Sequence, residues 1–122
     1  MNRHNVELGR WGEQLAESHL VRHGATVLAR NYRSEPGEID LVIEQDGDLV
    51  AVEVKTRTEL DLEKPEEAVS WWKLRRMMRG LETFAVENDM LERHWRLDVV
   101  AVEFDLDGNL SRCEHIRDAF EG

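Results

Sequence analysis

The sequence predicts an α/β protein, a mixed sheet flanked by helices in the order α-β-β-β-α-β-β. Three observations lead there. The stretch Gly37 to Arg57, GEIDLVIEQDGDLVAVEVKTR, holds two strand-like runs on either side of Asp46-Gly47, a dipeptide suited to a type I′ hairpin turn because both residues tolerate positive φ. Arg96 to Phe104 is a near-continuous apolar run of strand length, as a central strand covered on both faces requires. Two longer segments carry apolar residues near the helical period, one before the hairpin and one between it and that central strand.

The elements follow in chain order. Residues 5 to about 23 read as the first helix, with Leu8, Trp11, Leu15 and Leu20 in its stripe beside Ala16 and His19, and Gly24 as its stop. Gly9 and Gly12 cluster with Glu13 and Ala16 on one side. A glycine inside a helix costs about 1 kcal/mol against alanine, so the pair points to close approach of other backbone. Thr26 to Arg33 is the first strand and Ser34 to Gly37 a turn. The hairpin strands cover 38–45 and 48–57, and a polar loop runs from Thr58 to Lys64. Pro65-Glu66-Glu67 opens the second helix, which extends to about Asn88 with Leu74, Met77, Met78, Leu81, Phe84 and Ala85 as its buried stripe. After the central strand, Asp107-Gly108 turns the chain into a short edge strand, Leu110 to Ile116, and Phe120 docks the tail. The step from the hairpin through the second helix into Arg96–Phe104 is expected to be right-handed and parallel. Residues 1–122 read as one domain without repeat or linker.

Composition narrows the function classes. The chain of 122 residues can bury a core without disulfides, and its single cysteine, Cys113, leaves none possible within the chain. A reducing, cytoplasmic setting is expected. No apolar run approaches the roughly 20 residues of a membrane span, and MNRHNVELGR lacks the apolar stretch of a secretory signal. With 26 acidic residues against 16 Lys and Arg, the net charge of −10 argues against a general duplex-binding protein and predicts weak affinity for nucleic acid on its own. Charge is still local within a cleft. Lys73, Arg75, Arg76 and Arg79, with Trp71 and Trp72 alongside, form the most basic segment, either a surface for a phosphate backbone or a solvated cationic face.

The chemistry is concentrated in the hairpin. A two-residue turn places Asp40 opposite Glu53 and Glu38 opposite Lys55 on one face, while Ile39, Leu41 and Ile43 share the other with Val50, Val52 and Val54. Like charges directly opposed destabilise a sheet. A divalent cation reverses that sign, because hard ions such as Mg²⁺ are held by one or two carboxylates plus water. A wet charged face, its charges spread by water and by Arg33 or Arg57, accounts for the same spacing, and a longer loop would separate the two acids. Glu13 likewise is either a site residue or one solvated acid beside Glu7 and Glu17.

Gly9-x-x-Gly12-Glu13, Asn31-Tyr32-Arg33, Gly37-Glu38-Ile39-Asp40-Leu41, Val52-Glu53-Val54-Lys55-x-Arg57 and Arg96-x-Asp98-Val99-Val100 resemble the YraN-like family of bacterial proteins over nearly the whole chain. That family is similar in turn to the restriction-endonuclease-like superfamily, above all the archaeal Holliday-junction resolvases, marked by Asp, then Glu-x-Lys on a neighbouring strand, with an acid from the first helix. The resemblance implies a restriction-endonuclease-like mixed sheet and Asp40, Glu53, Lys55 and Glu13 as catalytic residues. It also implies Mg²⁺ or Mn²⁺ held by Asp40, Glu53 and the Val54 carbonyl, with Glu38 supporting Lys55. Ile39 stands where the superfamily often has proline. Arg33, Arg57, Lys73 and Arg76 become candidate nucleic-acid contacts. The implied activity is metal-dependent hydrolysis of phosphodiester bonds in DNA, branched or recombination-intermediate DNA included. The rival expectation is a non-catalytic nucleic-acid-binding or protein-interaction module on the same fold. Junction resolvases act as dimers, so a homodimer is implied, with Trp71, Trp72 and Trp95 as interface candidates, and a protein partner could supply the positive surface this chain lacks.

Overall fold

Two helices cover the two faces of a five-stranded sheet in the computed structural model, which describes residues 3–119. The order is α1 (Arg3–Arg22), β1 (Thr26–Arg33), β2 (Glu38–Gln45), β3 (Asp48–Thr58), α2 (Trp71–Glu87), β4 (Trp95–Phe104) and β5 (Leu110–Ile116). The strands lie in sequence order, with β3 and β4 parallel and every other neighbouring pair antiparallel. This is the α/β mixed sheet of the restriction-endonuclease-like arrangement. Among the described residues no helix is long and apolar enough to cross a membrane. Phe120 lies outside the described residues.

The hairpin turn is the one its dipeptide demands, with φ of 53° at Asp46 and 83° at Gly47 and Gln45 facing Asp48. Its two faces are not one core and one charged surface, as alternation suggested. Leu41, Ile43, Val50, Val52 and Val54 pack under α1 with Ala16 and Leu20. Val42, Leu49 and Ala51 are equally buried, under the Leu74, Met77, Leu81, Phe84 and Ala85 stripe of α2. Ile39 belongs to this second cluster and not with Leu41, so strict alternation breaks at Asp40. A sheet joined by a parallel crossover needs cover on both sides, and the hairpin strands therefore bury both.

Glycines set how closely the helices press. A Cβ on Gly12 would fall 2.2 Å from Thr56 Oγ1, so a side chain where α1 crosses β3 would force the Thr56 hydroxyl aside, whereas the space beside Gly9 is open. A Cβ on Gly37 would meet the Arg76 carbonyl oxygen at 2.9 Å, so the start of β2 lies against α2. That helix begins later than Pro65 suggested. Pro65–Ala68 forms a separate 3₁₀ turn, and α2 starts at Trp71, where the Ser70 hydroxyl accepts from the Lys73 N–H at 3.1 Å. Trp11 departs from its expected place too, being half exposed outside the α1 stripe. Trp95 is partly buried against the α2 cluster, which removes it from the exposed interface candidates.

One polar network lies in the apolar interior. Arg96 donates to Asp98 Oδ1 at 2.9 Å, Asp48 Oδ2 at 3.0 Å and Gln45 Oε1 at 2.6 Å. Gln45 donates to the His23 carbonyl beyond α1, and Asp98 also holds His115 Nε2 at 2.6 Å and the Asp118 N–H at 3.1 Å. Burial pushes the Asp98 carboxyl up, but the hydrogen bonds from His115 and Arg96 outweigh it and hold it below the usual carboxylate range. Removing one partner of such a pair strands the other. Arg96→Met should therefore lower stability by about 3–5 kcal/mol in urea denaturation. A change below 1 kcal/mol would mean that the network contributes little.

Candidate metal centre

The site forms where the sheet splits. β2 and β3 are paired from the turn only as far as Leu41 and Val52. Beyond that point β2 stays with β1 to Glu38, and β3 stays with β4 to Thr58. The side chain of Asp40 enters the gap, its Oδ2 accepting from the Val54 N–H at 2.8 Å. In an antiparallel ladder a residue's N–H and C=O point to the same neighbour, so strand geometry turns the Val54 carbonyl towards the gap as well. Asp40 and Glu53 are thus not a ladder pair, as the hairpin spacing suggested. They meet because the ladder stops.

Glu53 is the most perturbed group of the site. Its side chain is 7% exposed, and Oε2 is buried without a hydrogen-bond partner among the described residues. Burial first, and the Asp40 charge second, push its carboxyl up to about 7. Lys73 Nζ from α2 stands 3.8 Å from the orphaned oxygen and, with Lys55, offsets part of that rise. Glu13 from α1 is raised as well, by burial and then by Asp40. Asp40 is therefore the common neighbour of an acid on β3 and an acid on α1. Among the described residues these do not close into a cage of three or more carboxylate, histidine or thiol ligands. Mg²⁺ does not need one, since it is commonly held by one or two carboxylates with substrate phosphates and water. An orphaned carboxylate oxygen beside a second carboxylate and a carbonyl is a donor set that fits such an ion.

The remaining predicted residues divide. Lys55 is partly buried two residues from Glu53 and acts on it electrostatically. Glu38 faces Arg33 on β1 and pairs with it at 3.5 Å, both side chains being exposed; it does not face Lys55, because the β2–β3 ladder has ended before it. Arg57 turns to the Thr56 carbonyl and to Glu63 at 3.6 Å. Arg76 is exposed on α2. Lys73, expected on an outer basic face, instead points inward to Glu53. The signal for this was present in the helical period. With Ser70 as the cap, Lys73 falls on the same line as Met77, Gly80 and Phe84, all buried.

The Glu53 geometry has a sign that can be measured. A carboxyl raised in the fold binds more protons there than in the unfolded chain between its ordinary value of 4.5 and about 7. Its contribution to stability is therefore greatest below that window and falls as pH rises through it. Without divalent ions, wild-type stability should decline from pH 5 to pH 8 by up to roughly 3 kcal/mol more than that of Glu53→Gln. Parallel thermal-unfolding profiles of the two proteins would refute a buried, protonatable Glu53.

Residues 12–102 match the uncharacterised protein family UPF0102. The chain is similar to a UPF0102 protein of Geobacter metallireducens, 39% identical over 121 residues that cover 99% of this chain and 98% of that one. It is 42% identical to one of Rhodococcus opacus over 120 residues, covering 96% and 98% of the two chains. A Bacteroides fragilis relative is 37% identical over 120 residues, covering 98% and 96%. The alignments take in the hairpin, the gap beside Asp40 and the Lys73 helix from end to end, and the chain belongs to the UPF0102 family.

Proposed function

We propose that this protein is a divalent-metal-dependent endonuclease hydrolysing phosphodiester bonds in DNA, branched or recombination-intermediate DNA being the class its resemblance favours. The observation that carries the reading is Glu53 Oε2, buried and without a hydrogen-bond partner among the described residues, beside the Asp40 carboxylate. A chain folding for stability alone gains nothing from that arrangement. Asp40, Glu53 and the Val54 carbonyl would hold Mg²⁺ or Mn²⁺, and the ion when bound would polarise the phosphate and lower the pKa of a coordinated water.

The chain's own residues supply the rest. Asp40 is held in the gap by the Val54 N–H, which fixes its orientation before any ligand arrives. Lys55, two residues along β3 from Glu53, carries positive charge that can orient a water or stabilise negative charge developing on the phosphate. Lys73 neutralises Glu53 from the α2 side, and Glu13 reaches towards Asp40 from α1. The single thiol, Cys113, agrees with a reducing, cytoplasmic setting. The net charge of −10 favours a second reading, a non-catalytic module that binds nucleic acid or a protein.

Calorimetric titration of Mn²⁺ separates the two. Wild type should bind the ion, with affinity rising between pH 5 and pH 7 as Glu53 gives up its proton, and an Asp40→Asn, Glu53→Gln double variant should not. Cleavage of branched or single-stranded DNA in Mn²⁺ should fall about 100-fold or more in Asp40→Ala and Lys55→Ala. Undiminished cleavage in either variant would overturn the mechanism, and wild type that neither binds Mn²⁺ nor cuts DNA would favour the module.

A further inference from the structure

The outward face of α2 is open to solvent. Trp71, Trp72, Arg75, Arg76 and Arg79 are all exposed, Trp72 at 70%. They form one stripe along the first turns of the helix, opposite the buried Leu74, Met77 and Leu81. The two indoles are set edge to face at 4.8 Å, and the Arg75 guanidinium lies over the Trp71 ring at 4.8 Å. Arg30, Arg93, Arg96, Arg112 and Arg117 each hold a carboxylate. Among the described residues Arg75, Arg76 and Arg79 hold none, although acids outnumber basic residues in the chain. Three uncompensated guanidiniums in one stripe mark a surface that meets a polyanion.

We propose that this face binds an unpaired nucleobase and its flanking phosphates, so that the substrate is single-stranded or carries an unpaired segment beside the bond to be cut. An indole stacks on a base only where the base is free of its own duplex stack, and alternating aromatic and arginine side chains are how single strands are held without sequence preference. A blunt duplex would offer the arginines its phosphates and leave the indoles idle. Position supports the same conclusion. Lys73, the residue after Trp72, turns inward to Glu53, so the first turn of α2 carries both the aromatic pair and a residue of the candidate metal centre. The cleavage part of this inference rests on the proposed function; the binding part does not.

Fluorescence anisotropy with an end-labelled oligothymidylate and a blunt duplex of equal length, in EDTA, tests the binding. Wild type should prefer the single strand. Trp72→Ala should bind it about tenfold more weakly while leaving duplex affinity and melting temperature unchanged. An Arg75→Gln, Arg76→Gln variant should weaken both and reduce the salt dependence. Equal affinity of Trp72→Ala and wild type for the single strand, or a wild type that prefers the duplex, overturns the proposal. So does a wild type that binds neither, an outcome that would turn the face over to a protein partner. Single-strand binding that depends on Trp72, together with no Mn²⁺-dependent cleavage, would uphold the base site and refute the nuclease reading alone.

Discussion

The backbone N–H of Val54 decides how this molecule is put together. In an uninterrupted hairpin it would donate to a carbonyl of β2. Here it donates to the Asp40 carboxylate, and the two strands run apart from that point while each keeps its other neighbour. A buried N–H must have an acceptor, and a carboxylate satisfies it as well as a carbonyl does. The split therefore leaves the Val54 amide satisfied, and it opens a gap between strands that are otherwise paired. Glu53, Lys55 and Glu13 acquire their environment from that gap.

A tension follows from the same geometry. Glu53 stands on a buried strand under α2, where ionisation is unfavourable, and its strongest electrostatic neighbour has the same sign. Lys73 relieves part of the strain from across the helix–sheet interface. Gly37 and Gly80 allow that interface to close, since side chains there would meet the Arg76 carbonyl and Ile39. The small residues at the start of β2 and in the middle of α2 thus act on the site through distance alone.

Much of the architecture was legible in the residues. Asp46-Gly47 fixed the turn, the Arg96–Phe104 run marked a strand covered on both faces, and Gly12 signalled the close crossing of α1. Two departures share one cause. Periodicity assumes that pairing continues, and at Asp40 it does not, so the period puts Ile39 on the wrong face and gives Glu38 the wrong partner. Pro65 signals a helix start but opens a separate turn, and counting the helix from it hides the inward direction of Lys73. Of the Arg96 network only Arg96-x-Asp98 stands together in the sequence; Gln45, Asp48, His115 and Asp118 come from the hairpin turn, the edge strand and the tail, and nothing local signals that they converge on it. Asp40, Glu53 and Lys55 stood out as chemistry in a pattern, although their exact relation depended on a break in that pattern.

The Arg96 guanidinium has one further consequence, for how the sequence can change. It divides its donors among Asp98, Asp48 and Gln45, and Asp98 shares its oxygens with His115 and the chain beyond β5. Residues joined through one such hub are not free to vary one at a time, because each single replacement leaves a buried partner unsatisfied. Gln45, Asp48, Arg96, Asp98 and His115 should therefore be inherited as a set. A graft of the hairpin from one relative onto the sheet of another would succeed or fail according to whether the set travels together.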